Sequence, residues 1–199
     1  MTKGQGTLTT TSDTDILYRR WLPIDFDPRR PADISATNEE HDAAIKRARG
    51  VREWFREQGW PEPIFADSGN GAHLLYRIDL PNDDEARKLV EGCLKAIAFL
   101  HADDVVDIDV KVGNAARIWK LYGTLSCKGD SVPERPHRRS AILEAPKELK
   151  PVSKELLERL AAMLPEEPKL EARFSGGYGE PLDIEAWIHD HGLVISKIK

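Results

Sequence analysis

The stretch Trp21-Leu22-Pro23-Ile24-Asp25-Phe26-Asp27 constrains this chain more than any other. In the period-two alternation of a strand, Leu22, Ile24 and Phe26 fall on one face and Asp25 and Asp27 on the other. Such a strand must bury one face while holding two carboxylates at its tip on the opposite one. The pattern returns in Val105-Val106-Asp107-Ile108-Asp109-Val110, where Val106, Ile108 and Val110 face one way and Asp107 and Asp109 the other. Two such strands side by side gather carboxylates at one point of a sheet, as a divalent cation requires. Taken singly, each copy reads equally as a solvated strand end.

The rest of the chain supplies a scaffold for this pair. Asp15 to Asp27 reads as the first strand, stopped by Pro28-Arg29-Arg30-Pro31 because proline cannot continue a ladder. Thr37 and Glu40 form a capping box, and Ala44, Ala48, Val51 and Phe55 then repeat at helical spacing up to Gly59. Trp54 and Trp60 read as packing residues. Ile64 to Ala66 is a short strand and Asp67-Ser68-Gly69-Asn70-Gly71 a turn. Ala72 to Ile78 is a strand with His73, Leu75 and Arg77 on its second face. Asn82, with Glu85 three residues on, opens a second helix carrying Ala86, Val90, Cys93, Ile97 and Leu100. Asn114 to Leu121 and Ser140 to Leu143 predict further strands, and Ser153 caps a helix with Leu156, Leu157, Leu160 and Leu164. Asp183 to His189 predicts a last short helix. Ser175-Gly176-Gly177-Tyr178-Gly179 has no GxxxxGK[ST] pattern and reads as linker.

The expected class is therefore α+β, a mostly antiparallel sheet with helices on one side. The expected division is a flexible segment 1–14, a core 15–149, and a helical C-terminal appendage or linker 150–199. With 199 residues the chain suffices for one domain with a sizeable core. No stretch is apolar enough for a membrane span or a signal peptide. Two isolated cysteines, Cys93 and Cys127, exclude a disulfide framework and point to a reducing cytoplasm.

A formal net charge of -5 argues against generalised nucleic-acid binding, yet the charge is segregated. Residues 79–109 hold nine acids against Arg87, Lys88 and Lys95, whereas 111–139 hold seven bases against Asp130 and Glu134. A basic segment directly after the acidic strand is placed to hold phosphates; a solvated charge run is the alternative.

Three carboxylates converging from the two acidic strands suit magnesium or manganese, hard ions that take oxygen ligands and leave room for substrate phosphates. Zinc is disfavoured, because neither a thiolate cluster nor a histidine pair accompanies the acids. His73 follows a Gly-rich turn whose N–H groups can face an anion, so it reads as a phosphate contact or as a packed structural histidine. Arg117 and Lys128 read as the stronger basic pair; Lys120 would face the opposite side of an ideal strand from Arg117. Arg29, His137 and Arg138, with Arg139, are candidates for a nucleic-acid backbone contact or plain surface charge.

Three of these stretches, in order, resemble the motifs of the archaeo-eukaryotic primase superfamily. The resemblance is to its primase-polymerase domains, found in plasmid, phage and prophage replication proteins. Leu22-Pro23-Ile24-Asp25-Phe26-Asp27-Pro28 is similar to the first motif, a hydrophobic strand ending Asp-x-Asp. Ser68-Gly69-Asn70-Gly71-Ala72-His73 is similar to the second, a small residue, any residue and a histidine. Val106-Asp107-Ile108-Asp109 resembles the third, and Asn114 to Thr124 with Lys128-Gly129 the stretch beyond it. The resemblance covers about residues 15–146.

It implies a palm related to the RNA-recognition motif, extended by a second α/β unit. It implies Asp25, Asp27 and Asp109 as catalytic metal ligands, with Asp107 as the alternative to Asp109. Ser68, Asn70, His73, Arg117, Lys120 and Lys128 would be nucleotide-binding residues, and magnesium or manganese the cofactor. The implied activity is template-directed synthesis of primers or DNA from nucleoside triphosphates, on single-stranded template and primer, alongside a helicase domain or protein. Two departures stand out: members of this group begin well upstream of the first motif, and this chain has no Walker motif. The chain is therefore expected to be an excised catalytic core. The alternatives are a non-catalytic nucleotide- or nucleic-acid-binding module and a metal-dependent nuclease, the latter lacking a His-x-His pair and an obvious nucleophilic tyrosine near it.

Overall fold

A computed structural model describes residues 10–165 of the chain. Its elements run β1 (Tyr18–Pro28), α1 (Asn38–Glu57), β2 (Ile64–Asp67), β3 (Ala72–Pro81), α2 (Asp84–His101) and β4 (Val106–Ile108). Short strands β5 (Leu125–Ser126), β6 (Arg138–Arg139) and β7 (Ala141–Glu144) follow, and then α3 (Lys154–Ala161). The main sheet is five-stranded and antiparallel in the order β4-β1-β3-β2-β7, with β5 and β6 as a separate ribbon. A β-α-β-β-α-β succession with strand order β4-β1-β3-β2 is the split βαβ arrangement, here lengthened by β7 beside β2. The mixed α+β class and the antiparallel sheet thus agree with the expectation from sequence.

One face of this sheet is the core. Leu22, Ile24 and Phe26 of β1, Phe65 of β2, and Ala72, Leu74, Tyr76 and Ile78 of β3 are essentially fully buried. They join Ala44, Ala48, Val51 and Phe55 of α1 and Val90, Cys93, Leu94 and Ile97 of α2 in a single apolar cluster. Trp60 packs edge-on to Tyr76 with centroids 5.1 Å apart. Because side chains alternate, filling this face leaves Pro23, Asp25, Asp27, His73 and Leu75 to the opposite one.

Thr37 caps α1 with its Oγ1 accepting the Glu40 N–H at 3.1 Å, while Glu40 Oε2 accepts the Thr37 N–H at 2.8 Å. The cap of α2 differs from the sequence expectation. Asp83, not Asn82, accepts the Ala86 N–H, at 2.8 Å, whereas Asn82 donates its amide to the Asp13 and Ile16 carbonyls. Both residues are good caps; the neighbouring 3-10 turn Asp13–Asp15 draws Asn82 away.

The helix α3 packs on α2. Leu157 and Leu160 are buried, the Cys93 thiol donates to the Leu157 carbonyl at 3.3 Å, and the Val152 N–H bonds the Arg77 carbonyl at 2.8 Å. Burial pushes the Cys93 thiol up to about 12, so it serves as an inert core group. Residues 10–165 accordingly lie within one compact unit. The linker Ser175–Gly179 and the helix Asp183–His189 predicted above lie outside the described residues, as does most of segment 1–14. No described helix is long and apolar enough to cross a membrane.

The predicted strand Asn114 to Leu121 is irregular chain. After β4, Asp109 caps a 3-10 turn, Val110–Gly113, which carries the backbone off the edge of β1. The Asp13 carboxylate then fixes the departing segment by accepting the Ala116 N–H at 2.7 Å. The apolar residues that suggested a strand are divided. Ile118 is 91% exposed and Leu121 76%, whereas Trp119 folds back over the sheet.

Candidate functional site

On the face opposite the helices, Asp25 stands directly across from His73, one on β1 and the other on β3. Directly opposed residues of an antiparallel pair share a face, and His73 Nε2 lies 3.3 Å from Asp25 Oδ1. The other ring nitrogen, Nδ1, is 2.8 Å from the Tyr122 hydroxyl, which also accepts the Trp119 indole N–H at 3.1 Å. The Trp119 ring covers the imidazole at a centroid distance of 4.5 Å. Burial, with the Asp25 charge adding to it, pushes the Tyr122 phenol up to about 12 despite the Trp119 hydrogen bond. The phenol therefore keeps its proton and can donate it to Nδ1; in that tautomer the imidazole proton sits on Nε2, facing Asp25.

The turn before His73 explains why the sequence needs two glycines there. Gly69 has φ +92°, which a side chain disfavours. A Cβ on Gly71 would stand 2.1 Å from the Phe26 carbonyl oxygen, so only glycine lets this turn approach β1. Ser68 Oγ accepts the Gly71 N–H at 2.9 Å. Asn70 is 3% exposed, and its amide accepts the Ala36 N–H at 2.8 Å and donates to Ser126 Oγ at 3.0 Å. Both side chains hold the turn's shape. Asp67 Oδ1 accepts the Gly69 N–H at 2.6 Å and lies 3.0 Å from His41 Nε2. Burial pushes the Asp67 carboxyl up, but the His41 ring and the Gly69 N–H outweigh it and hold it below the ordinary aspartate value.

Asp25, Asp27, Ser68, Asn70, His73, Arg117, Lys120 and Lys128 line one open cavity of about 400 Å³, together with Val112, Ile118, Trp119 and Ser126. Neither lysine has an ion-pair partner among the described residues. The basic segment expected to follow the acidic strand is thus folded over the carboxylates, and because the chain there is irregular, Arg117 and Lys120 reach the same space.

The carboxylates are less uniformly placed. Strand register sets Asp107 opposite Asp27, and the Asp109 N–H bonds the Asp25 carbonyl at 3.1 Å, so all four acids share a sheet face. Asp109, however, turns Oδ1 to the Lys111 N–H at 2.8 Å and Oδ2 toward Arg117 Nη2 at 3.5 Å. Asp107 accepts the adjacent Ile108 N–H at 2.9 Å. Asp27 is bound at 3.1 Å by Arg30, whose side chain is only 6% exposed and also donates to the Ile34 and Pro28 carbonyls. Among the described residues, no three His, Cys, Asp or Glu side chains are gathered closely enough to hold a metal ion. The donor set at the cavity, two carboxylates two residues apart on one strand face, still fits a hard cation that completes its shell with substrate phosphates.

The residues expected to grip a nucleic-acid backbone divide. Arg138 donates to the Ala36 carbonyl at 2.8 Å and Asn38 Oδ1 at 2.7 Å, and His137 Nε2 bonds the Gly129 carbonyl at 2.9 Å. With the bidentate Arg135–Glu40 pair, they stitch the 129–138 loop to the start of α1. Arg29 is exposed, its guanidinium without a partner among the described residues. Sequence reasoning passed over Trp119, Tyr122 and Arg30, which orient His73 and Asp27. An aromatic pair three apart inside a basic run was the available signal for the first two. Compared with family models, with curated proteins and with solved structures, the chain finds no match in any of the three.

Proposed function

We propose that this protein is a template-directed nucleotidyltransferase of the primase-polymerase kind, joining nucleotides on single-stranded DNA. The observation that carries the reading is the single cavity holding Asp25, Asp27, His73, Arg117, Lys120 and Lys128. Carboxylates on one wall and cations on the others suit a triphosphate and the hydroxyl that attacks it. In this reading Asp25 and Asp27 hold magnesium or manganese, which when bound supplies charge neutralisation at the reacting phosphate and a lowered hydroxyl pKa.

The chain's own groups have separate tasks. His73 offers its Nε2–H to a phosphate oxygen, its ring fixed by Tyr122 and Trp119. Lys120 and Lys128 neutralise the outer phosphates and the leaving pyrophosphate. Arg117 can exchange its 3.5 Å contact with Asp109 for a phosphate, freeing that carboxylate toward Asp25. The test is synthesis on single-stranded DNA with each nucleotide set and with magnesium or manganese. Incorporation by the wild type and none by Asp27→Asn is expected; equal activity in the two overturns the assignment.

A second reading, a non-catalytic nucleotide-binding module, rests on the Asp27–Arg30 and Asp109–Arg117 pairs, which already neutralise both carboxylates. Nucleotide binding without incorporation under either metal would favour it.

A further inference from the structure

A second groove, of about 340 Å³, adjoins the first and shares Val112, Arg117 and Trp119 with it. A bulge in β1 shapes it. The β1–β3 ladder slips by one residue between Arg19 and Trp21, and such a slip re-aims the side chains on either side of it. Arg19 stands opposite Leu80 of the core and is buried, its Nη1 donating to the Gly113 carbonyl at 2.6 Å. Trp21, Pro23 and Asp25 stand opposite Arg77, Leu75 and His73, on the face of the cavity. The groove therefore continues the site backward along β1, with Trp21 about 13 Å of strand from Asp25.

Two properties of its walls define what fits. Tyr18, Trp21 and Trp119 line it, with Tyr18 55% and Trp21 39% exposed. The Arg77 guanidinium lies 5.9 Å from the Trp21 ring centroid and that of Arg20 lies 5.5 Å from the Tyr18 centroid, contacts that restrain both rings. The charged side chains on the walls are all arginines, Arg19, Arg20 and Arg117, and no acid lines the groove among the described residues. In a chain of net charge -5 that is a local reversal of sign. Arg20 meets Asp79 at 3.6 Å with both side chains more than half exposed, a pair that water weakens and a phosphate can displace. Aromatic faces beside cations in one groove suit an unpaired nucleic-acid strand, whose bases stack on the rings while its backbone meets the charges. A duplex keeps its base faces covered and gains nothing from the rings.

Resting on the nucleotidyltransferase reading of the adjoining cavity, we propose that this groove seats the single-stranded DNA template, a base stacked on Trp21 and a phosphate on Arg20. Arg117 and Trp119, common to both spaces, mark where the strand passes from the groove to the carboxylates. The grip is tolerant of sequence, because every base has a face to stack. Besides the arginines, the walls offer only the Tyr18 hydroxyl and the Asn114 amide as polar side-chain groups, and that amide is 3.4 Å from Asp13. A ribose 2′-hydroxyl therefore finds little to bind there, which assigns the groove to DNA and not to RNA.

The experiment is fluorescence anisotropy of labelled oligothymidylate titrated with the full chain in EDTA, so that binding is read without chemistry. Trp21→Ala should weaken binding about tenfold at an unchanged salt slope, and Trp21→Phe, which keeps a ring, should recover most of the loss. Arg20→Gln should lower the slope of log affinity against log salt by about 0.7, the share of one phosphate contact on a single strand. Blunt duplex DNA should compete poorly, and oligouridylate no better than oligothymidylate. Equal competition by duplex, or wild-type binding in both Trp21→Ala and Arg20→Gln, overturns the groove. A preference for oligouridylate overturns its assignment to DNA. Incorporation by the wild type together with wild-type oligonucleotide affinity in Trp21→Ala removes the groove and keeps the nucleotidyltransferase. Oligonucleotide held through Trp21 and Arg20, with no incorporation under magnesium or manganese, removes the nucleotidyltransferase and leaves the groove as a single-strand site.

Discussion

At the scale of single residues, the imidazole of His73 is the most constrained group in the site. Tyr122, Trp119 and Asp25 each restrict it, and the phenol beside Nδ1 remains protonated over the whole physiological range. Tyr122→Phe removes the hydroxyl that meets Nδ1 and accepts the Trp119 indole N–H, and keeps the ring. We expect primer synthesis to fall about tenfold, as when an orienting partner of a functional histidine is removed, with the melting temperature nearly unchanged. A mutant with full activity would show that Tyr122 only packs. Asp67 makes a different prediction, about pH. Its carboxyl is held below the ordinary value of 3.8, so the stability it contributes is complete above that pH and lost as the pH falls through its lower folded value. Urea midpoints of wild type and Asp67→Asn should therefore converge as the pH drops below about 4, and a constant gap would contradict the proposed pairing.

At the scale of elements, two close approaches fix the site. Gly71 lets the β2–β3 turn lie against β1, because a methyl there would meet the Phe26 carbonyl at 2.1 Å. Gly71→Ala should destabilise the fold by about 3 kcal/mol, the upper end of overpacking costs, and weaken nucleotide binding with it, as read by denaturant unfolding and calorimetry. The docking of α3 is the other. A chain truncated after Leu149 loses Leu157 and Leu160, which cover Cys93 and its neighbours on α2, whereas one ending at Pro165 keeps them. The shorter form should melt well below the longer one, since each lost buried leucine is worth about 2–5 kcal/mol. Equal melting temperatures would mean that α3 is an appendage.

These elements were unequally legible. The capping box at Thr37, the alternation in β1 and the apolar sets of α1 and α2 are local patterns, and the structure follows them. The segment after Asp109 shows why other parts were not legible. Its apolar residues suggest a strand, yet Trp119 is used to cover His73, and Ile118 is left exposed. Similarly, Arg138 and Arg117 look alike in the sequence. One spends its guanidinium on the Ala36 carbonyl and Asn38, the other lines the cavity and reaches Asp109, and only the long-range fold separates them.

For the whole molecule, the sheet separates an apolar face covered by helices from an acidic face overlaid by the basic 111–139 segment. Asp25, Asp27, Asp107 and Asp109 share that second face, and like charges directly opposed on a sheet repel. Millimolar magnesium or manganese should therefore raise the melting temperature by several degrees through binding to the folded state, and Asp27→Asn should remove most of that gain. No metal-dependent shift in the wild type would count against cation binding at the cavity.

The sequence by itself determined which residues alternate, where α1 begins, and that two acidic strands exist, because those properties depend on neighbours within a few positions. The tertiary structure decided the rest. It brought His73 across from Asp25, folded the basic segment over the carboxylates and turned Asp109 toward Arg117. Each of these depends on strand register and loop paths that join residues far apart in the chain, where local propensity carries no information.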